Sequence, residues 1–562
     1  MKSLFFLGLA LLCLTNTVLA QPEIVPAEHE VYDFLHLQRV HGLLPKYLHE
    51  SRPIARDEVI QHLETLQNDR NRLGKTAWEW LQTFRQEFLE PEAAIETMIV
   101  PKSGNKSGKF GLHFPLGKDT EKFLFYKKTA DWRTAVQGHA SAQLRGANPD
   151  GEAMGGFALV PELIIEGHYK DWLGFYSGTY DGVQLLGNTR VQKYDPQINN
   201  LYYILYYDPP IGSYDRSSTS IRLAKKPFFI ELANERLIQG ASFTEPIVLG
   251  GVNDYYSFVR FGFRTKTFQY QMIHANLSDL AQWAHDPDKP DFGRLVSPQR
   301  YMALHRLNIQ PSSRFNFSFY EMVVYGLRSP ELAYLNPFNP VVTSEHALGD
   351  RDNSLFAMES VVRPIPKIEA FASLLVDDMI LTKIGKHSYN VKWAFQTGIG
   401  AHVSDHILAS MTYTRVDPFT YTHRFPYNGS FYNAYQHNQT TLGHPIGPNA
   451  DQWKLAAKMW FPKRIRAEAS LAYTRQGENF TDDAGNLVNV GGDPNNGLQT
   501  GADLEFGKKQ FLAGQRDDGF SVAALIAYEP IRNISVRFQA RHNSHKISPN
   551  VGFFRTELVF GF

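Results

Sequence analysis

Residues Ile465–Thr474 read IRAEASLAYT. Ile465, Ala467, Ala469, Leu471 and Tyr473 are apolar, and the positions between them carry Arg466, Glu468, Ser470, Ala472 and Thr474. Successive side chains of a strand leave opposite faces, so this period of two gives one apolar and one mostly polar face. Ile534–Arg541 (ISVRFQAR) repeats the pattern, with Ile534, Val536, Phe538 and Ala540 set against Ser535, Arg537, Gln539 and Arg541. A soluble sandwich and a membrane barrel both write such strands. The connections separate them, because a barrel threading a bilayer alternates short turns at one rim with long loops at the other. Short turns fall near Thr265, Gln310 to Ser313, Arg363 to Lys367, Val403 to Asp405 and Pro462 to Lys463. Between them lie Ser278 to Gln299, Gly326 to Asp352, Asp378 to His387, Asp417 to Asp451 and Gln476 to Leu498. A sandwich has no reason to sort loop length by parity. The reading is an all-β transmembrane antiparallel barrel.

From residue 101 to the end, at roughly 25 residues per strand and connection, the barrel holds on the order of 16 to 20 strands. That width leaves a lumen that wall side chains alone cannot fill. If Phe562 and the short turns share one rim, an odd number of strands must follow Tyr255, whereas the pattern gives fourteen. The discrepancy falls between Gln476 and Gly519, where Gly and Asn blur the alternation. Phe554, Leu558, Phe560 and Phe562 share one face of the last strand. This ending is similar to the C-terminal signal of outer-membrane barrels and implies barrel-assembly machinery as a partner.

The N-terminus reads differently. Lys2, the apolar run Leu4 to Leu14 and Val18-Leu19-Ala20 predict a cleavable export signal over residues 1–20, which also contains Cys13, the only cysteine. Val31, Phe34, Leu35 and Val40, then Val59, Leu63 and Leu66, then Trp78, Leu81, Phe84 and Phe88 recur at helical spacing, punctuated by Pro53 and Pro91. Residues 21–100 therefore read as a periplasmic helical bundle, PKSGNKSGK (Pro101 to Lys109) as a linker, and residues 101–562 as the barrel with its outer loops. Lys plus Arg number 57 against 57 Asp plus Glu, which removes the electrostatic reason for a nucleic-acid partner. No stretch beyond the signal approaches the run of about 20 apolar residues that a membrane helix needs.

The chain holds neither G-x-S-x-G nor H-E-x-x-H. His402 and His406 read as turn residues. Asp350, Asp352 and Asn353 lack the further oxygen ligands of a calcium loop and read as hydrogen-bonding partners around Arg351. No catalytic residue, metal or cofactor is predicted. Pro418 to Ala450 is different, because it carries a single charge, Arg424, and interleaves rings with Asn and Gln. Sugars present apolar C–H faces rimmed by hydroxyls, which rings and planar amides match. Tyr421, Tyr427, Tyr432 and Tyr435 are the glycan-binding candidates, with Trp283 in the loop Ser278 to Gln299 as a weaker one. Packing of the same rings over the barrel mouth, or in the interfacial girdle, fits the sequence equally well.

RYMALHRL (Arg300 to Leu307), ELAYLNPF (Glu331 to Phe338), GDRDNSL (Gly349 to Leu355) and LLVDD (Leu374 to Asp378) together resemble the Wzi-type capsule-assembly family of the outer membrane. HPIGPNA (His444 to Ala450) and RPIARDEV (Arg52 to Val59) resemble it as well. The resemblance implies an 18-stranded barrel in outer-membrane lipid, a helical bundle at its periplasmic end and a non-enzymatic, lectin-like role in retaining capsular or extracellular polysaccharide. The alternative is a porin-like channel, suggested by the inward polar positions Arg466, Glu468, Arg537 and Arg541.

Overall fold

The structure is a computed structural model that describes residues 21–89, 119–198, 212–250, 254–279, 282–286, 289–296, 299–349, 351–423, 432–500 and 507–562, with short pieces at 95–97, 99–101, 110–112 and 204–206. The export signal, most of the linker and Tyr427 lie outside the described residues.

Eighteen long strands close one antiparallel barrel. They are β1 (Trp132–Ala147), β2 (Met154–Tyr169), β3 (Leu173–Gly187), β4 (Gly212–Lys225), β5 (Phe228–Glu235) and β6 (Tyr256–Arg264). Then come β7 (Phe268–Leu277), β8 (Arg300–Ser312), β9 (Phe315–Gly326), β10 (Asn353–Val362), β11 (Ile368–Met379) and β12 (Val391–Ser404). The last six are β13 (Ile407–Val416), β14 (Ala450–Phe461), β15 (Ile465–Glu478), β16 (Gly519–Ile531), β17 (Ile534–His545) and β18 (Val551–Gly561). Each pairs with its sequence neighbour, and β18 closes on β1 from Phe553 opposite Ala147 to Gly561 opposite His139. Closure leaves no open edge to pair with another chain.

Thirteen of these strands follow Tyr255, so the parity is consistent and the fourteenth was a false split. Between β15 and β16 the described residues hold only two-residue strands, Phe480–Thr481 against Leu487–Val488 and Gln515–Arg516 beside the end of β15. Gly485, Gly491 and Gly514 adopt positive φ there, which ends each run before it can span the wall.

The outer face of the wall is apolar. Leu455 and Val522 are half exposed, at 50% and 51%, and Leu232, Leu471 and Ile526 are similar. Rings mark both ends of this band. Tyr413 with Trp453 and Tyr473 with Phe520, each pair 4.7 Å apart, lie toward the long-loop rim, and Trp132 sits 4.8 Å from Tyr169 at the short-turn rim. Two such girdles bound the lipid-facing band of membrane barrels. Among the described residues no helix is long and apolar enough to cross a membrane.

The N-terminal segment forms α1 (Val31–His41), α2 (Arg56–Asn68) and α3 (Lys75–Leu89). α1 stops at Gly42, whose φ of 93° suits glycine and whose N–H bonds the Arg39 carbonyl at 2.9 Å. Phe34, Leu35, Leu63, Leu66, Leu81 and Phe84 make one core, which continues onto the inward side chains Phe371, Leu408 and Trp460 of the wall. The bundle thus sits in the mouth at the short-turn rim. The sequence gives α1 one apolar stripe, yet its polar face is buried too, because the inner wall is itself polar. Lys458 donates to Asp33 at 2.6 Å, His36 Nε2 lies 2.9 Å from Glu369 Oε1, and Arg466 donates to Glu30 at 3.1 Å.

This seat carries a pH dependence. Burial holds the His36, His49 and His41 imidazoles below their ordinary value of 6.5, reinforced at His49 by His36 and Arg52 and at His41 by Lys367 and Arg72. The released segment therefore takes up protons that the seated one does not, so seating weakens as pH falls below 6.5. His29 works the other way. Burial opposes its charge, but Glu87 raises its pKa, so that pair strengthens on acidification. Three rings outweigh one, and amide exchange across α1, corrected for the intrinsic rate, should quicken between about pH 7.5 and about pH 5.5. Unchanged protection over that interval would count against the assignment.

Candidate functional site

The lumen is filled from both rims, and the two fillings meet. The connection after β5 leaves the long-loop rim but turns inward, where Ile238–Gln239 pairs with Ser51–Arg52 of the N-terminal segment. The Gly240 N–H donates to the Glu50 carbonyl at 2.9 Å, the Ala241 N–H donates to Glu359 Oε2 at 2.5 Å, and Phe243 stacks on His36 at 5.3 Å. Farther along, Ile247, Val248 and Leu249 enter a second core with Tyr320, Met322, Tyr421 and Tyr435. Chain from the N-terminal segment, this connection and residues 417–423 and 432–449 make one column through the barrel.

Inward charges beside the column are paired, as burial requires. Arg260 Nη2 donates to both Glu231 oxygens at 2.9 Å, and Arg222 reaches Glu231 at 2.8 Å. Arg145 and Arg555 share Asp195 at 2.7 and 2.8 Å. The opposite wall differs. On β14 to β17 the inward side chains of Gln452, Lys454, Ser470, Ala523 and Gln539 are half-buried, and Arg537 and Arg541 are exposed, so a water-lined strip runs along that side.

Tyr421 and Tyr435 belong to the column. Both are 0% exposed, their rings stack at 5.9 Å, and their hydroxyls donate to the carbonyls of Ile247 at 2.9 Å and Val248 at 2.6 Å. This corrects the expectation for these two rings, which fasten the loop to the lumen connection and face no solvent. The packing reading of that aromatic segment describes them. Tyr432 is half-buried near the rim. Its carbonyl and that of Ala434 accept from Arg300 at 2.7 and 2.6 Å, so Arg300 acts as a clamp that the sequence marked only by its place in RYMALHRL. Trp283 lies in a strand, Gln282–Asp286, paired with Lys289–Val296 in the loop above β7 and β8. Asp352 accepts from Arg328 Nη1 at 2.9 Å and from the Tyr334 hydroxyl at 2.8 Å. Among the described residues no cluster of three His, Cys, Asp or Glu side chains could hold a metal.

At the long-loop rim a groove of about 310 Å³ opens where β4 to β7 end. Asn234 and Ser257 face each other in the ladder, with the Ser257 hydroxyl donating to Asn234 Oδ1 at 3.3 Å, and Asn276 projects from the next strand. Asp215, Asp254, Tyr255, Ser278 and Asn438 complete the lining. Asn438 is placed by a two-residue turn in which it and Gln439 have φ of 49° and 60°, and its N–H donates to the Ser278 carbonyl at 2.9 Å. Its Oδ1 is buried without a hydrogen-bond partner. Amides, hydroxyls and carboxylates at one opening, with the Tyr255 ring beside them, combine the donors, acceptors and apolar face that a sugar matches. No local pattern in the sequence marks this site, because its residues come from four strands and three loops.

Fold and site together define an outer-membrane-type barrel of 18 strands with a partly filled lumen and a polar rim groove. Residues 267–545, just under half of the chain, match the family described as capsule assembly protein Wzi. No curated protein matches the sequence. Among solved structures the chain is similar to Wzi of Escherichia coli, an outer-membrane protein described as involved in group 1 capsule assembly and as a carbohydrate-binding β-barrel, at a TM-score of 0.56 and 10% identity over 96% of this chain and 99% of that one. OccAB4 of Acinetobacter baumannii follows at a TM-score of 0.44 and 9% identity, covering 78% and 99%, and OpdO of Pseudomonas aeruginosa at 0.43 and 8%, covering 76% and 97%.

Proposed function

We propose that this barrel is a non-enzymatic glycan-binding protein that holds capsular or extracellular polysaccharide at the cell surface. In this reading the signal exports the chain, the C-terminal strand delivers it to the barrel-assembly machinery, the apolar band lies in outer-membrane lipid, and the α1 to α3 bundle faces the periplasm. The observation that carries it is the rim groove, which gathers the exposed Asn276 amide, the Ser257 hydroxyl, the Asn438 carboxamide and the Tyr255 ring at one opening. The continuous column through the lumen favours holding a ligand over conducting one. Tyr432 and Trp283, on loops of the same rim, stay as further glycan candidates, as does Tyr427 outside the described residues.

Replacing Asn276 by Leu and Ser257 by Ala together tests the reading. Each sugar hydrogen bond is worth about 0.5–1.5 kcal/mol net, so losing two weakens each site roughly tenfold. Retention of a polymer compounds that loss over repeated contacts. Cells carrying the double variant should shed polysaccharide into the medium while holding the same amount of heat-modifiable barrel. Unaltered retention and an unaltered glycan-array profile would refute the groove as the binding site.

A further inference from the structure

The connection between β9 and β10 does not stand above the rim. On β8, Met302 and Leu304 belong to the lumen core, so Tyr301, Ala303 and His305 face outward; on β9, Tyr320, Met322 and Val324 are inward, so Glu321, Val323 and Tyr325 face outward. Outward side chains on bare wall are about half exposed, yet Tyr301, Ala303, Val323 and Tyr325 are buried in a cluster with Tyr334 and Val341. The cover is the 327–352 connection itself, folded down the outside of the barrel as two short helices, α4 (Leu332–Leu335) and α5 (Val341–Ala347).

What it covers is polar. His305 Nδ1 lies 3.2 Å from Glu321 Oε1, and His274 Nε2 lies 2.7 Å from the Tyr325 hydroxyl. Ionisable groups on the lipid face of a barrel wall are unfavourable. The connection relieves this, with the Val341 N–H donating to Glu321 Oε2 at 3.1 Å and the Ser354 hydroxyl to Glu345 at 2.7 Å. It also reaches far down. The hydroxyl of Tyr270, the third residue of β7 counted from the short-turn rim, donates to the Pro337 carbonyl.

The surface turned away from the barrel carries Leu332, 81% exposed, and Phe338, 85% exposed, the most exposed large apolar side chains among the described residues. Phe338 follows Pro337 directly and so sits beside the apolar band, level with strand interiors and not with the loops. We propose that this external hairpin is a lipid-inserted anchor, with Leu332 and Phe338 among the acyl chains of the surrounding leaflet. The occupant is lipid because the hairpin is continuous with the apolar wall, where Phe319 and Met358, opposite each other on β9 and β10, are also exposed. This rests on the reading of that band as membrane-embedded.

Cys13 is the only cysteine and lies in the predicted signal, so single cysteines report cleanly. Leu332→Cys and Phe338→Cys, each labelled with bimane, would be reconstituted as the full barrel in phosphatidylcholine–phosphatidylglycerol vesicles with and without acyl-brominated phosphatidylcholine. Met358→Cys on the bare wall and Ala484→Cys in an exposed turn serve as references. The expected result is quenching at both hairpin sites of at least half that at Met358→Cys, with none at Ala484→Cys. Hairpin labels that behave like Ala484→Cys overturn the anchor. Labels shielded from aqueous iodide but unquenched by bromine also overturn it, and point to a protein or a second copy on that face. Absence of quenching at Met358→Cys would instead strike the membrane reading of the band.

Discussion

Arg39→Ala should release the helical bundle from the barrel. The guanidinium donates to Glu369 through Nε at 2.7 Å and Nη2 at 2.9 Å, to Glu50 through Nη1 at 2.9 Å and Nη2 at 2.6 Å, and to the Tyr47 carbonyl at 3.1 Å. Every N–H of the fork is used, and one cation holds two carboxylates that are both buried. Removing one partner of such a network typically costs about 3–5 kcal/mol, because the remaining charges stay buried without compensation. Arg363 Nη1, at 3.2 Å from Glu369, compensates only one of the two acids. Arg39→Lys should fail nearly as badly, since a single ammonium cannot span both carboxylates. The barrel ladder does not pass through this residue, so the variant should keep its heat-modifiable mobility while α1 to α3 become open to protease. Full protection of the bundle in Arg39→Ala would show that the apolar core around Phe34 and Phe84 seats it unaided.

How much of this was legible follows from where each signal lives. The barrel was legible because alternation in stretches such as IRAEASLAYT is local, and every turn-and-loop pair repeats it. The helices were legible for the same reason, since Val31, Phe34 and Leu35 fall on one stripe. The fate of the polar face of α1 was not. Asp33, His36 and Arg39 look like a solvated face until Lys458 and Glu369, hundreds of residues away, are brought opposite them. The same holds for the lumen connection, where nothing in residues 236–250 separates a loop that turns inward from one that stands in water. ELAYLNPF supported the family resemblance, but no periodicity showed that it lies on the outside of the wall. The aromatic segment from Pro418 divides in just this way. Its composition suits sugars and packing alike, and only the carbonyls of Ile247 and Val248 decide between them for Tyr421 and Tyr435.

Tyr435→Ala should therefore open the top of the column and not merely weaken a ligand. The ring is fully buried, its hydroxyl donates to the Val248 carbonyl, and its backbone N–H bonds the Tyr421 carbonyl at 2.9 Å while Leu442 N–H returns to Tyr435 at 3.0 Å. Truncating a buried aromatic costs about 3–5 kcal/mol, and here it also strands a buried carbonyl. Tyr421 loses its stacking partner at the same time. Tyr435→Phe removes only the hydroxyl and should cost about 1–3 kcal/mol, the price of the unsatisfied Val248 carbonyl. The graded pair is the test. If the ring packs, exposure of the 432–449 segment to protease and exchange should rise steeply from Phe to Ala, and polysaccharide retention should fall with it, because Asn438 is carried on the same loop. If the ring instead touched glycan, retention would drop with the loop still protected, and the buried placement of Tyr435 would be refuted.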